Sequence, residues 1–176
     1  MKSLVLVLVV AFVLIAENAV LATDLQPGTL CQIDEKVMFS CPVKNGTRLV
    51  SLCGSKDLTD KTGYLQYRFG RAGEIDLEFP TRRQNSQKMF RYAHYFRPQV
   101  DRFSVSFVIK DYTYTVFKNY EGDIEPKVNE VGVQLTLPGQ AEREIPCVGM
   151  GIGNLHGLKS IVPCDTDDAL NMGECP

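Results

Sequence analysis

Six cysteines, two histidines and two runs of like charge are the residues of this chain that could do chemistry. The cysteines are Cys31, Cys41, Cys53, Cys147, Cys164 and Cys175. Zinc spacing is missing: no Cys-x-x-Cys pair exists, and only His94 and His156 could complete a ligand set. An even number of cysteines in an exported chain reads instead as a disulfide framework. Cys164–Cys175 is the best-motivated pair, since it would staple an acidic tail that has no core of its own. Cys31–Cys53 with Cys41–Cys147 is one way of pairing the rest. No metal and no cofactor are expected.

The second group is Glu74, Asp76 and Glu78. Residues at i, i+2 and i+4 of a strand share one face, so these carboxylates would stand together. Catalytic carboxylate pairs must face each other across a cleft, roughly 5 to 10 Å apart. A solvated strand face gives the same pattern and is the simpler account. A nucleophilic site needs a base beside Ser or Cys. His94 sits in the aromatic run Phe90-Arg91-Tyr92-Ala93-His94-Tyr95-Phe96-Arg97, which reads as a core or groove strand, and His156 stands in a glycine-rich segment. No catalytic residue is assigned. Gly149 to Asn154 lacks the spacing and the Lys-Ser/Thr of a phosphate loop. Asp165-Thr166-Asp167-Asp168 fails as a calcium loop, because Leu170 stands where the sharp turn needs glycine.

Charge is unevenly spread, although the net charge is only −2. Arg82, Arg83, Lys88, Arg91, Arg97 and Arg102 are opposed by Asp101 alone, with tyrosine and phenylalanine interleaved. Glu121, Asp123, Glu125, Glu130, Glu142 and Glu144 reverse the balance. Arginine with tyrosine is the vocabulary of recognition surfaces. Tyr64, Arg91, Tyr95 and Arg97 are the candidate binding residues. The competing account is that the two runs pair with each other on one sheet. A near-neutral chain gives no global pull toward nucleic acid, and none is expected as a partner.

These residues need elements to hold them. Residues 1–22 carry Lys2, an apolar run from Leu4 to Ala16, and Val20-Leu21-Ala22 before a cleavage point near Ala22. That is the pattern of a secretory signal peptide. The mature chain, 23–176, has no second long apolar stretch and is expected as a single domain, monomeric or weakly associating, in the periplasm or secreted. Alternation of apolar and polar residues predicts strands at 36–41, 48–54, 65–69, 74–79, 90–97, 103–109, 112–120, 131–137 and 142–148. Asn45-Gly46 marks the first hairpin. The chain thus reads as all-β, a disulfide-stapled antiparallel sandwich or barrel of about eight to nine strands. Residues 148–176 form a glycine-rich segment and acidic tail, with a turn or two of helix between Asn154 and Ile161.

The strings FSCPVKNGTRLVSLCGS, GYLQYRFG, GEIDLEFP and FRYAHYFRPQVDR resemble a family of small exported bacterial proteins. That resemblance carries no activity, ligand or catalytic residue with it. Phe39-Ser40-Cys41 with Asn45-Gly46 is also similar to the first strands of the periplasmic inhibitors of c-type lysozyme, small disulfide-bonded β-barrels. Their SGxxY loop enters the lysozyme cleft. Here the nearest string runs from Thr62 to Tyr67, with Thr62 in place of the serine and Gln66 in place of the tyrosine. The expectation is a non-catalytic binding or inhibitor module of the bacterial envelope that recognises a protein or an anionic glycan. The alternatives are an envelope enzyme acting on glycan through paired carboxylates such as Asp76 and Glu78, and a purely structural envelope protein.

Overall fold

The computed structural model describes residues 25–44, 46–173 and 175. The expected signal peptide and Asn45 of the first turn lie outside the described residues. Nine strands form two antiparallel sheets. The first sheet holds β1 (Glu35–Pro42), β2 (Leu49–Ser55), β3 (Leu65–Arg71) and β4 (Glu74–Phe79), in that order. The second holds β5 (Arg91–Arg97), β6 (Val100–Ile109), β7 (Tyr112–Glu121), β8 (Val128–Thr136) and β9 (Arg143–Pro146), again in order. Within each sheet every strand pairs with its neighbour in sequence, so local turns set the order, and the chain changes sheet only between β4 and β5.

The sheets bury a shared apolar core, as a sandwich requires. Phe107 of β6 is its hub: ring centroids of Phe79, Tyr67, Tyr114 and Phe90 lie 4.7, 4.9, 5.2 and 5.3 Å away. One side of the sandwich is closed. After β9 the chain crosses to the β1 edge, where Val148 N–H donates to Pro42 O at 2.8 Å. Ser40 and Ile152 exchange two backbone bonds of 2.8 and 2.7 Å. The Cys41–Cys147 disulfide fastens this seam. Gly153 has φ +107°, and a Cβ there would stand 2.7 Å from the Met38 backbone. Gly151, whose Cβ would stand 3.0 Å from Ser40 O, and Gly153 thus serve close backbone approach.

Three features depart from simple alternation. In β3, Leu65 and Tyr67 face the core as expected, but Gln66 and Arg68 on the other face are also buried. The arm before β1 covers them, with Leu30 and Cys31 fully buried and Cys31 bonded to Cys53 of β2. In β4, Leu77 and Phe79 pack on the core, but Ile75 is 41% exposed, because a β-bulge against Phe69–Gly70 interrupts the alternation between Ile75 and Leu77. The acidic tail is docked. Tyr92 N–H donates to Pro163 O, and Tyr92 O accepts from Asp165 N–H, each at 2.9 Å, which covers the β5 edge. Asp168 accepts from Ser104 of β6, and Cys164–Cys175 staples the segment. Among the described residues the C-terminal section has only 3-10 turns, at Leu155–Leu158 and Ala169–Asn171.

Candidate functional site

The four sequence-derived binding residues fall on different parts of the sandwich. Tyr64 precedes β3, and its hydroxyl donates to Glu35 Oε1 at 2.8 Å. Burial, then the hydrogen bond and charge of Glu35, push this phenol up to about 12. The Arg83 guanidinium lies over its ring at 4.9 Å, a cation–π contact. Arg91, Tyr95 and Arg97 share the outward face of β5. Arg91 donates to the carbonyls of Lys88 and Phe90, each at 2.9 Å. Ala93, between Arg91 and Tyr95, is fully buried where the tail crosses. Arg97 is paired with Asp123 at 2.5 Å, and that hydrogen bond holds the Asp123 carboxyl below its usual range. The structure therefore brings Tyr64 to Arg83 and Tyr95 to Arg97, but leaves Tyr95 and Arg97 at the opposite end of β5 from Arg91.

The basic run divides in two. Arg97 pairs with Asp123 and Arg102 with Glu121, so its second half is neutralised by the acidic run. Arg82, Arg83, Lys88 and Arg91 form no ion pair among the described residues. They occupy the crossover from β4 to β5: an exposed loop, Thr81 to Asn85, followed by a 3-10 turn at Ser86–Met89. Both ends of that loop are anchored by buried side chains. Gln66 Nε2 donates to Pro80 O at 2.9 Å. Ser86 Oγ accepts from Leu65 N–H at 2.9 Å and donates to Leu65 O at 2.7 Å. Gln87 Nε2 donates to Thr59 O at 3.1 Å. Four cations thus project from a crossover that cannot easily rearrange.

The carboxylates of β4 each meet an arginine. Asp76 is 2.6 Å from Arg48, Glu78 2.8 Å from Arg68, and Glu74 3.7 Å from Arg71. The single carboxylate face expected from alternation is not formed, because a β-bulge against Phe69–Gly70 interrupts the alternation between Ile75 and Leu77, and each carboxylate meets a different arginine. In the Thr62–Tyr67 string, Gln66 and Tyr67 are buried. Cys31, Glu35 and Cys53 bring metal-ligand atoms together. The two sulfurs are bonded to each other, so they offer no thiolate to a metal.

A second group was not assembled by sequence reasoning. The two histidines meet at the far end of β5, with ring centroids 5.3 Å apart and perpendicular. His94 Nε2 lies 2.8 Å from Asp101 Oδ1, and its ring stacks on Phe103 at 4.1 Å. The β5–β6 hairpin register pairs His94 with Phe103 and Phe96 with Asp101. The hairpin turns at Pro98-Gln99, so β6 begins at Val100, ahead of the start at 103 expected from alternation, and this brings Asp101 into the strand. No signal in the sequence placed His156 beside them. Comparison with family models, with curated proteins and with solved structures finds no match for this chain.

Proposed function

We propose that this chain is an exported, non-catalytic binding or inhibitor module of the bacterial envelope, recognising an anionic glycan or an acidic protein face. The observation that carries the reading is the basic crossover: Arg82, Arg83, Lys88 and Arg91 without carboxylate partners among the described residues, on a loop anchored at both ends. Anchoring before binding reduces the ordering cost that a mobile arginine loop would incur. Tyr64 belongs to this surface through Arg83, and Arg91 forms its edge. Three disulfides suit an oxidising compartment such as the periplasm. No helix among the described residues is long and apolar enough to cross a membrane. The reading as a glycan-acting enzyme through Asp76 and Glu78 has less support, since an arginine occupies each carboxylate.

Immobilised polyanionic and neutral glycans test this. The full chain should bind the polyanion, more weakly as salt rises. Arg82→Ala/Arg91→Ala should weaken that binding roughly three- to tenfold, as expected for exposed charges. Equal retention of the variant and the parent would remove the crossover as the recognition surface. Lysozyme assays address the inhibitor branch, and unchanged rates with lysozymes of every type would discard it.

A further inference from the structure

The two histidines border a crevice that the proposed function does not use. His94, Phe96, Asp101, His156 and Lys159 line an open cavity of about 400 Å³. A smaller cavity of about 170 Å³ shares Asp101 and His156 and adds Lys118. The ring of Phe96 is 70% exposed at the rim, where a solitary phenylalanine gains nothing from water. His156 and Lys159 are exposed on the turn at Leu155–Leu158 and just after it. His94 is fixed: Phe103 covers one face, His156 abuts it edge-on, and Asp101 holds Nε2. The hydroxyl of Tyr92, whose ring lies 6.3 Å from that of His94, is buried without a partner among the described residues.

We propose that this crevice is a binding site for a ring-borne oxyanion, such as a sulfate, phosphate or carboxylate on an aromatic or sugar ring. His156 and Lys159 hold the anion, and Phe96 stacks on the ring. The groups that face the site fix the sign of the ligand. They are His94 of β5, Asp101 of β6, Lys118 of β7, and His156 and Lys159. The one carboxylate, Asp101, is already engaged by His94. Two lysines remain, so an anion is favoured over a metal cation. This site lies at the other end of β5 from Arg91 and stands independently of the basic crossover.

Only two histidines exist in the chain, so their imidazole proton signals report on this site directly. Inorganic sulfate is the probe for the anion alone; phenyl sulfate adds the ring. Sulfate should shift both histidine signals saturably, and phenyl sulfate should bind more tightly by a factor that Phe96→Ala removes. Affinity for either should fall as ionic strength rises, because the contacts are between charges near the surface. His156→Asn and Lys159→Met, both exposed and harmless to folding, should each weaken sulfate binding severalfold. Arg82→Ala/Arg91→Ala should leave it unchanged. The proposal fails if sulfate gives no saturable shift, if the shift survives both crevice substitutions, or if Zn²⁺ displaces sulfate and binds the histidines instead.

Discussion

Replacing Arg68 with methionine should be among the most damaging single changes outside the aromatic core. The Arg68 side chain is 3% exposed, and all five of its N–H groups are used. They donate to Glu78, to Leu30 O, to both carboxylate oxygens of Glu35 and to Gln66 Oε1, at 2.5 to 3.0 Å. The Glu35 side chain is wholly buried. Without Arg68 it keeps only Gln32 N–H at 2.7 Å and the Tyr64 hydroxyl at 2.8 Å. Removing one member of a buried ion pair costs about 3–5 kcal/mol, because the other charge is left uncompensated. That is a large share of the about 5–15 kcal/mol that holds a typical domain folded. Glu35→Leu/Arg68→Met should recover much of the loss, since no wholly buried charge then remains and Glu78, the other partner of Arg68, is 32% exposed to water.

The pH dependence separates this mechanism from a packing defect. Burial alone raises the Glu35 carboxyl. The Arg68 hydrogen bonds, Gln32 N–H, the Arg68 charge and Tyr64 outweigh it, so the net direction is down. A lowered folded value adds stability above the unfolded value of about 4.3, and that stability is lost as pH falls through the folded value. In Arg68→Met, burial acts with little opposition and the direction reverses. The variant's penalty is then fully present at neutral pH and shrinks as acid protonates Glu35. Urea unfolding at about pH 7 and about pH 5 measures both effects. A neutral-pH cost below about 1 kcal/mol, or a difference from the parent that does not shrink on acidification, would refute the reasoning.

Gly153→Ala should lower stability by about 2–4 kcal/mol, since the new Cβ would meet the Met38 backbone at 2.7 Å and neither chain can yield at the disulfide-fastened seam. Gly139→Ala, with φ +76° but nothing within 4 Å, should cost only about 1–2 kcal/mol, and the two melting temperatures give the comparison. Phe107→Ala should cost about 3–5 kcal/mol in denaturant unfolding, because Phe107 is 2% exposed and touches four aromatic rings. Phe96→Ala should change stability by less than about 0.5 kcal/mol, as its ring is mostly in water.

The sheets were legible because nothing in their topology is long-range. Within each sheet every strand pairs with the next in the chain, so alternation plus turn residues sufficed to place the strands; only the step from β4 to β5 changes sheet. Gln66 and Arg68 were not legible as buried. Their alternation pattern is that of a solvated face, and the arm that covers them has too few apolar residues to announce a core. Cys31–Cys53 supplies by covalent attachment what the arm lacks in hydrophobic burial. The basic run shows a similar limit. Its six cations look equivalent in sequence. The Gly122 N–H bond to Gln99 O brings the end of β7 against the β5–β6 turn, so Asp123 and Glu121 reach Arg97 and Arg102 and no others.

The histidine crevice marks where sequence patterning stops. His94, Phe96 and Asp101 belong to one hairpin, so two-residue periodicity and a turn place them together. His156 arrives by another route. It depends on the chain after β9 crossing to β1, on Gly153 admitting a backbone contact, and on Leu155 and Leu158 burying the following turn. Each of those steps is a packing decision between segments distant in the chain, and none has a periodicity to read. The same distinction separates the two proposed surfaces. The basic crossover is a local cluster that the sequence displays and the fold merely anchors. The crevice exists only because the seam is closed. Loosening the seam by Gly153→Ala should therefore displace His156 and abolish sulfate binding, while polyanion binding by Arg82 and Arg91 continues.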